Sequence, residues 1–294
     1  MLKLWIDTDI GDDVDDTLAL VYALRAGFTL VGVSTVFGDT RARARFARQL
    51  LTEAGAPAVP VTAGWGLPLT GEAFEPFPTY LCQGEHGGAI PPGDPDSAVD
   101  ALLFAARTYG RDLILLGLGP FTNLARAIEK DRDALLGIGG IVIMGGAYFR
   151  PYADWNVYSD PLAAKVLFSA GLPLTALGAD VTHRLTLSEE DSHRLLCDPL
   201  LGKYYRRWRD ITGKRAVLHD PLTVLYLEDR TLCQTEDAAV RVVTAGEGLG
   251  LTLTASSYGK AGMNPAWSGA TETAAVARSV EAETAIQRFM KRVL

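Results

Sequence analysis

Between Leu4 and Leu24 the chain reads LWIDTDIGDDVDDTLALVYAL, and Asp7, Asp9, Asp12, Asp13, Asp15 and Asp16 fall within ten residues of one another. Carboxylates so close repel: a pair about 4 Å apart costs roughly 4 kcal/mol at an effective dielectric of about 20. An apolar run ends at Ile6 and an amphipathic one begins near Asp15 or Asp16, so the aspartates occupy a strand-to-helix turn. Helix capping needs one such residue, and the helix dipole adds only about 0.3–1 kcal/mol for each. Capping accounts for one or two, and two or three others can face solvent. A hard cation explains the gathering better, because Ca²⁺ takes about six to eight oxygens and offsets the repulsion directly.

An EF-hand loop starting at Asp7 is excluded, since Gly11 stands at its fifth position and no glutamate closes it. The opening DTD is similar to the nucleophile loop of haloacid-dehalogenase-like phosphotransferases, which carries a small hydroxyl residue where this chain has Gly11. Phosphoryl transfer through Asp7 and Asp9 is therefore the weaker alternative.

The elements that must position these carboxylates alternate along the chain. Apolar, partly β-branched segments predict strands over Lys3–Ile6, Leu30–Phe37, Val59–Ala63, Leu113–Leu118, Gly140–Met144 and Leu174–Ala179. Helical patterns lie between them, over Thr17–Ala26, Ala42–Ala54, Ala98–Tyr109 and Thr122–Lys130. This order implies an α/β fold, a doubly wound and mainly parallel sheet flanked by helices, with a site in the loops at the carboxyl ends of the strands. The tail from Val240 predicts two strands around a glycine-rich turn, followed by a closing helix within TETAAVARSVEAETAIQRFMKRVL. Candidate loops over the site are Gly64–Gly71, Gly84–Asp96 and the segment around Pro151–Asn156. No linker or internal repeat breaks the chain, so residues 1–294 are expected to form a single domain.

Composition narrows the partners. At 294 residues and 48% hydrophobic the chain can bury a large core, and its net charge of -7 argues against nucleic acid or an anionic membrane. The basic stretch KYYRRWRD, Lys203–Asp210, with its interleaved aromatics, could form a nucleic-acid patch, but a solvated helix face fits it better. Three scattered cysteines, Cys82, Cys197 and Cys233, suit a reducing compartment better than a disulfide framework or a zinc site. The first residues lack the apolar core of a signal peptide, and no apolar run is long enough to span a membrane, so the expected location is cytoplasmic.

The chain resembles the inosine-uridine-preferring nucleoside hydrolases, the nucleoside N-ribohydrolase family. DTDIGDDVDDTLAL is similar to that family's DxDxGxDD signature with two extra residues after Gly11. LGLGPFTNLARAI, MGGAYFRPYADWNVYSDPLAA, GADVTHRLTL and HDPLTVLYL resemble its later motifs in order and spacing over nearly the whole chain. The resemblance implies Ca²⁺-dependent hydrolysis of a ribonucleoside to base and ribose, a place in purine or pyrimidine salvage, and a homodimer or homotetramer. By position it makes Asp9 a metal ligand and the general base, and Asp16, Asp220 and the Leu118 carbonyl further ligands. Asp15 would contact the ribose, and Asp7 would support the turn. Asp13 competes for either aspartate role, being four residues after Asp9, while the helix start DDTLAL favours Asp15 and Asp16.

His219 corresponds to a histidine that protonates a leaving purine in part of the family; the plainer reading is a histidine hydrogen-bonded to a carboxylate. His183 is expected to be structural at a strand end, and His193 to face solvent. Asp154 and Asn156 stand where the family holds ribose hydroxyls with glutamate and asparagine, and the shorter Asp154 withdraws its oxygens by about 1 Å. Asp39 replaces an asparagine on the sugar, and Tyr148 an asparagine on the 5′-hydroxyl. Gln83 stands where a histidine is frequent, with His86 nearby. Trp65 and Tyr80 could stack on a base or anchor loops, and Trp155 could be simple packing. The metal set is intact and the departures fall on sugar and base contacts. A protein that binds ribosyl compounds without turning them over is thus the second reading, although a pure binder has no need of a water-activating carboxylate.

Overall fold

The computed structural model describes residues 2–72, 94–254 and 273–294. Eight strands form one sheet in the order β3-β2-β1-β4-β5-β6-β10-β7. They are β1 (Lys3–Thr8), β2 (Thr29–Thr35), β3 (Val61–Ala63), β4 (Leu113–Gly117), β5 (Gly140–Met144), β6 (Leu174–Leu177), β7 (Cys233–Ala238) and β10 (Ala274–Val280). All neighbours pair parallel except β7, which runs antiparallel to β10 at the edge. A separate antiparallel pair, β8 (Val240–Val242) with β9 (Thr252–Thr254), answers to the two tail strands read from sequence. Among the described residues no helix is long and apolar enough to cross a membrane.

Alternation along the strands sorts their side chains into two cores. Leu4 and Ile6 of β1 and Leu116 of β4 join one layer, while Trp5, Leu113 and Leu115 join the other. The first layer packs on α1 (Asp15–Arg25), α2 (Thr40–Glu53), α9 (Leu201–Thr212), α10 (Pro221–Glu228) and the closing helix Ala282–Val293; the second packs on α3 (Asp96–Tyr109), α4 (Thr122–Leu136) and α6 (Pro161–Phe168). Helices thus cover both faces, which explains why the central strands read as unbroken apolar runs.

Two local expectations are corrected. The expected closing helix is a strand followed by a helix: β10 takes Ala274–Val280, buries Ala274, Val276, Ala277 and Val280, and slots between β6 and β7 before the helix starts at Ala282. Its alanine-rich sequence reads helical in isolation, and sheet pairing overrides that propensity. The DVTH segment is not the end of a strand either: β6 stops at Leu177, and α7 (Ala179–Thr182) carries the chain to His183. The basic stretch in α9 is a solvated face, with Lys203 on Glu53 and Arg209 on Glu189, while Tyr204, Tyr205 and Trp208 point inward.

Candidate active site

Strand order reverses direction between β1 and β4, and in open α/β sheets the crevice at such a point, beyond the carboxyl ends of the strands, takes ligands. A cavity of about 390 Å³ lies there, with Asp9 following β1, Leu118 following β4, Met144 ending β5 and Ala179 beyond β6 on its wall. Asp15, Asp16 and Asp220 line it too, and each of the three offers a carboxylate oxygen within 4.8 Å of the others.

Local structure explains how three like charges come together. Asp15 and Asp16 open α1, whose N-cap, Val14, has no capping side chain. Thr8 Oγ1 donates to Asp16 Oδ1, and Ile10 N–H donates back to Thr8 Oγ1 at 3.1 Å, which ties the turn to the end of β1. Asp220 precedes Pro221 at the start of α10, and its carboxylate makes no capping bond. All three are nearly inaccessible. Burial and mutual repulsion hold their pKa values well above the ordinary carboxylate range. Asp9 is raised to about 7 by desolvation, against the opposing charge of Arg43. Such a set of buried oxygens fits a hard divalent cation, whose charge would offset the repulsion and draw these pKa values back down.

Asn156 and Asp154 frame the same cavity. Asn156 Nδ2 donates to the Leu118 carbonyl at 2.6 Å and the Met144 carbonyl at 3.1 Å, so both amide hydrogens are committed and only its oxygen is left for a substrate. The Leu118 carbonyl keeps a second lone pair for a cation. Asp154 caps α5 (Trp155–Ser159), its Oδ1 accepting from the backbone N–H groups of Gly146, Asn156 and Val157, and burial raises its pKa to about 6 despite them. His219 lines the cavity with Nδ1 2.7 Å from Thr182 Oγ1, and burial with the neighbouring His183 lowers its pKa to about 4.

Other expected site residues lie elsewhere. Tyr148 is completely buried, wedged against Gly146 and Gly178, where an added Cβ would come within 2.8 Å of its ring, and its hydroxyl donates to the Gly145 carbonyl at 2.7 Å. Its ring is part of the core and does not line the cavity, which corrects the expected 5′-hydroxyl contact. Asp39 caps α2 through the Ala42 N–H at 2.9 Å and is not among the residues lining the cavity. Asp13 is exposed at the rim, with Oδ1 accepting the Val14 N–H at 2.6 Å; the close triad does not include it. Asp7 is buried, accepts from Ser34 and from Asn123 at 2.7 Å, and is not on the cavity wall, so phosphoryl transfer through it has no support. Trp65 is a loop anchor, bonded to Asp96 at 3.1 Å and covered by Arg126. Gln83, His86, Tyr80 and Cys82 lie outside the described residues.

Several functional neighbours carry no warning in the sequence. His183 lines the cavity, together with Tyr152, Lys214 and Trp208, while His193 faces solvent as expected. Trp155 is half exposed on the wall, edge-on to Phe37. Gly119 presses on Asp9: a Cβ there would lie 2.9 Å from both its N and its Oδ1. Arg43, only 1% exposed, donates to the carbonyls of Phe37, Asp9 and Ile10 and to Asp12.

The chain is 34% identical over 278 residues to uridine nucleosidase 1 of Arabidopsis thaliana, covering 85% of this chain and 81% of that protein. It is 31% identical over 273 residues to the pyrimidine-specific ribonucleoside hydrolase RihA of Shewanella sp. (strain ANA-3), covering 84% and 85%. The solved structure of a plant nucleoside hydrolase superposes with a TM-score of 0.87 at 27% identity, over 99% of this chain and 98% of that one. With the model for "Inosine-uridine preferring nucleoside hydrolase" matching residues 4–287, the chain belongs to that family and is an enzyme that hydrolyses ribonucleosides.

Proposed function

We propose that the protein cleaves the N-glycosidic bond of pyrimidine ribonucleosides, uridine first among them, with one Ca²⁺ ion held by Asp15, Asp16, Asp220, Asp9 and the Leu118 carbonyl. The approach of the Asp15, Asp16 and Asp220 oxygens to within 4.8 Å of one another carries this reading. The names of the relatives, uridine nucleosidase and pyrimidine-specific hydrolase, support the choice of base. When bound, the cation supplies a Lewis acid that lowers the pKa of a water and draws in the ribose hydroxyls.

The side chains do the rest. Asp9 accepts the proton of the attacking water. Asp15, the Asn156 oxygen and Asp154 accept hydrogen bonds from sugar hydroxyls and hold the anomeric carbon in front of that water. The negative charge of the two aspartates also favours the positive, oxocarbenium-like sugar that forms as the bond to the base breaks. His219, on the cavity wall beside Asp220, receives the departing ring. The resemblance to the family further implies a dimer or tetramer, and the few scattered cysteines suit a reducing cytoplasm; light scattering and fractionation would measure the two.

Reducing-sugar release from uridine, cytidine, inosine and adenosine, with Ca²⁺ and then with a chelator, tests the proposal. Ribose release from uridine that stops on chelation, and that falls roughly 10²–10⁴-fold in Asp9→Ala, is the expected result. Release unaffected by chelation would remove the cation from the reaction.

A further inference from the structure

We propose that His183 is a contact for the leaving base, offering an Nε2–H to a ring carbonyl, and that Arg150 is the positioning residue that fixes it in this state. The inference rests on the hydrolase reading above and adds a residue to its base end.

Arg150 Nη2 lies 3.1 Å from His183 Nδ1. A guanidinium has donors only and keeps its charge, so Nδ1 must accept, and the ring proton resides on Nε2. The arginine is itself held: Nη2 also reaches the Ala179 carbonyl at 3.0 Å, and Nε pairs with Asp180 Oδ1 at 3.3 Å. Asp180 in turn accepts from the backbone N–H groups of Tyr148 and Phe149, which fastens the arrangement to the loop after β5. Burial and the adjacent guanidinium also lower the His183 pKa, keeping the ring neutral at pH 7.

The ring stands edge-on between Tyr152, at 5.4 Å, and His219, at 5.2 Å. Two imidazoles therefore sit side by side at the lip, each with Nδ1 engaged by the protein, by Arg150 in one and Thr182 in the other. The cavity wall also carries the carboxylates of Asp9, Asp15, Asp16, Asp154 and Asp220, which accept hydrogen bonds and cannot donate them while ionised. Sugar hydroxyls suit that wall. A ring carbonyl requires a donor, and His183 supplies one whose tautomer is set before the substrate arrives.

The test compares uridine with 4-nitrophenyl β-D-riboside, whose leaving group has no ring carbonyl and departs readily unaided. His183→Ala is expected to lower kcat/KM on uridine about 10–30-fold and on the nitrophenyl riboside less than about threefold. His183→Gln, which can place an amide N–H near the Nε2 position, should recover uridine activity to within about fivefold of wild type. Arg150→Met, which frees the tautomer, should cost about fivefold on uridine alone. Equal losses on both substrates would reduce His183 to a structural role, and no loss on uridine would remove it from the base; either overturns the inference. Wild-type protein inactive on both substrates would instead sink the hydrolase reading, and this inference with it.

Discussion

Arg43 Nη2 meets Asp12 Oδ2 at 2.7 Å, and the arginine side chain in that pair is only 1% exposed. The same guanidinium gathers the carbonyls of Asp9, Ile10 and Phe37, the last in a left-handed conformation at φ 70°. One buried cation therefore ties helix α2 to the acidic turn and to the loop after β2. Its charge also faces the aspartates across the turn, which partly offsets their repulsion.

Arg43→Met would take the donor from the carbonyls of Phe37, Asp9 and Ile10 and from the partly exposed Asp12, and leaving a buried acceptor unpartnered costs about 1–3 kcal/mol. Arg43→Lys keeps the charge but loses the planar fork and should fall between. Urea denaturation of the three proteins measures both. A methionine variant as stable as wild type would mean that the turn holds its shape without the clamp.

Gly119→Ala should spare the fold and impair turnover. The added Cβ would lie 2.8 Å from Val36 Cγ1 and 2.9 Å from Asp9 N and Oδ1, so Asp9 must shift. A displacement of about 1 Å at a reacting group costs on the order of 10²-fold in rate. The measurement is kcat on uridine beside the melting temperature, with kcat expected to fall far more than stability.

Tyr148→Phe separates packing from substrate contact. It removes the hydrogen bond to the Gly145 carbonyl, so stability should drop by about 1 kcal/mol while KM for uridine stays within about twofold. A large rise in KM would return the tyrosine to the sugar site.

Asp198 gives the stability a pH signature. Burial raises its pKa, but the hydrogen bond from Arg25, at 2.8 Å, and the N–H groups of Leu200 and Leu201 outweigh it, and the net shift is downward. A folded pKa below the unfolded value means stability that is present above about pH 4 and lost as pH falls through the folded pKa. Asp198→Asn should therefore cost about 1.5–3 kcal/mol at pH 7, and the gap to wild type should close below about pH 4. Chemical denaturation at pH 7, 5 and 3.5 gives the comparison.

The central strands and the cluster of carboxylates at the acidic turn were both legible in the sequence. Strands covered by helices on both faces must be apolar throughout, as β4 and β5 are, and six aspartates in one turn have few explanations. What escaped depends on tertiary placement. The edge strand β7, CQTEDA, is half solvated and has no apolar run, and β10 is alanine-rich, so neither announces itself. Arg43 reads as one more basic residue in TRARARFARQ until its partners across the turn are visible. Tyr148 and Asp39 match sugar-binding positions in order along the chain, but the wedge beside Gly146 and the cap on α2 decide where they go. His183 needed both Arg150 and His219, which lie 33 and 36 residues away.

The most direct test of the site is calorimetric titration of chelator-treated protein with Ca²⁺, in parallel with Asp16→Asn and Asp220→Asn, followed by thermal unfolding of each. One ion should bind per chain, at about 100 times its dissociation constant it should stabilise wild type by about 2.7 kcal/mol, and both variants should lose the binding and the stabilisation. Wild-type protein that takes up no ion, or variants that bind it as well as wild type, would contradict a cation held by Asp15, Asp16 and Asp220.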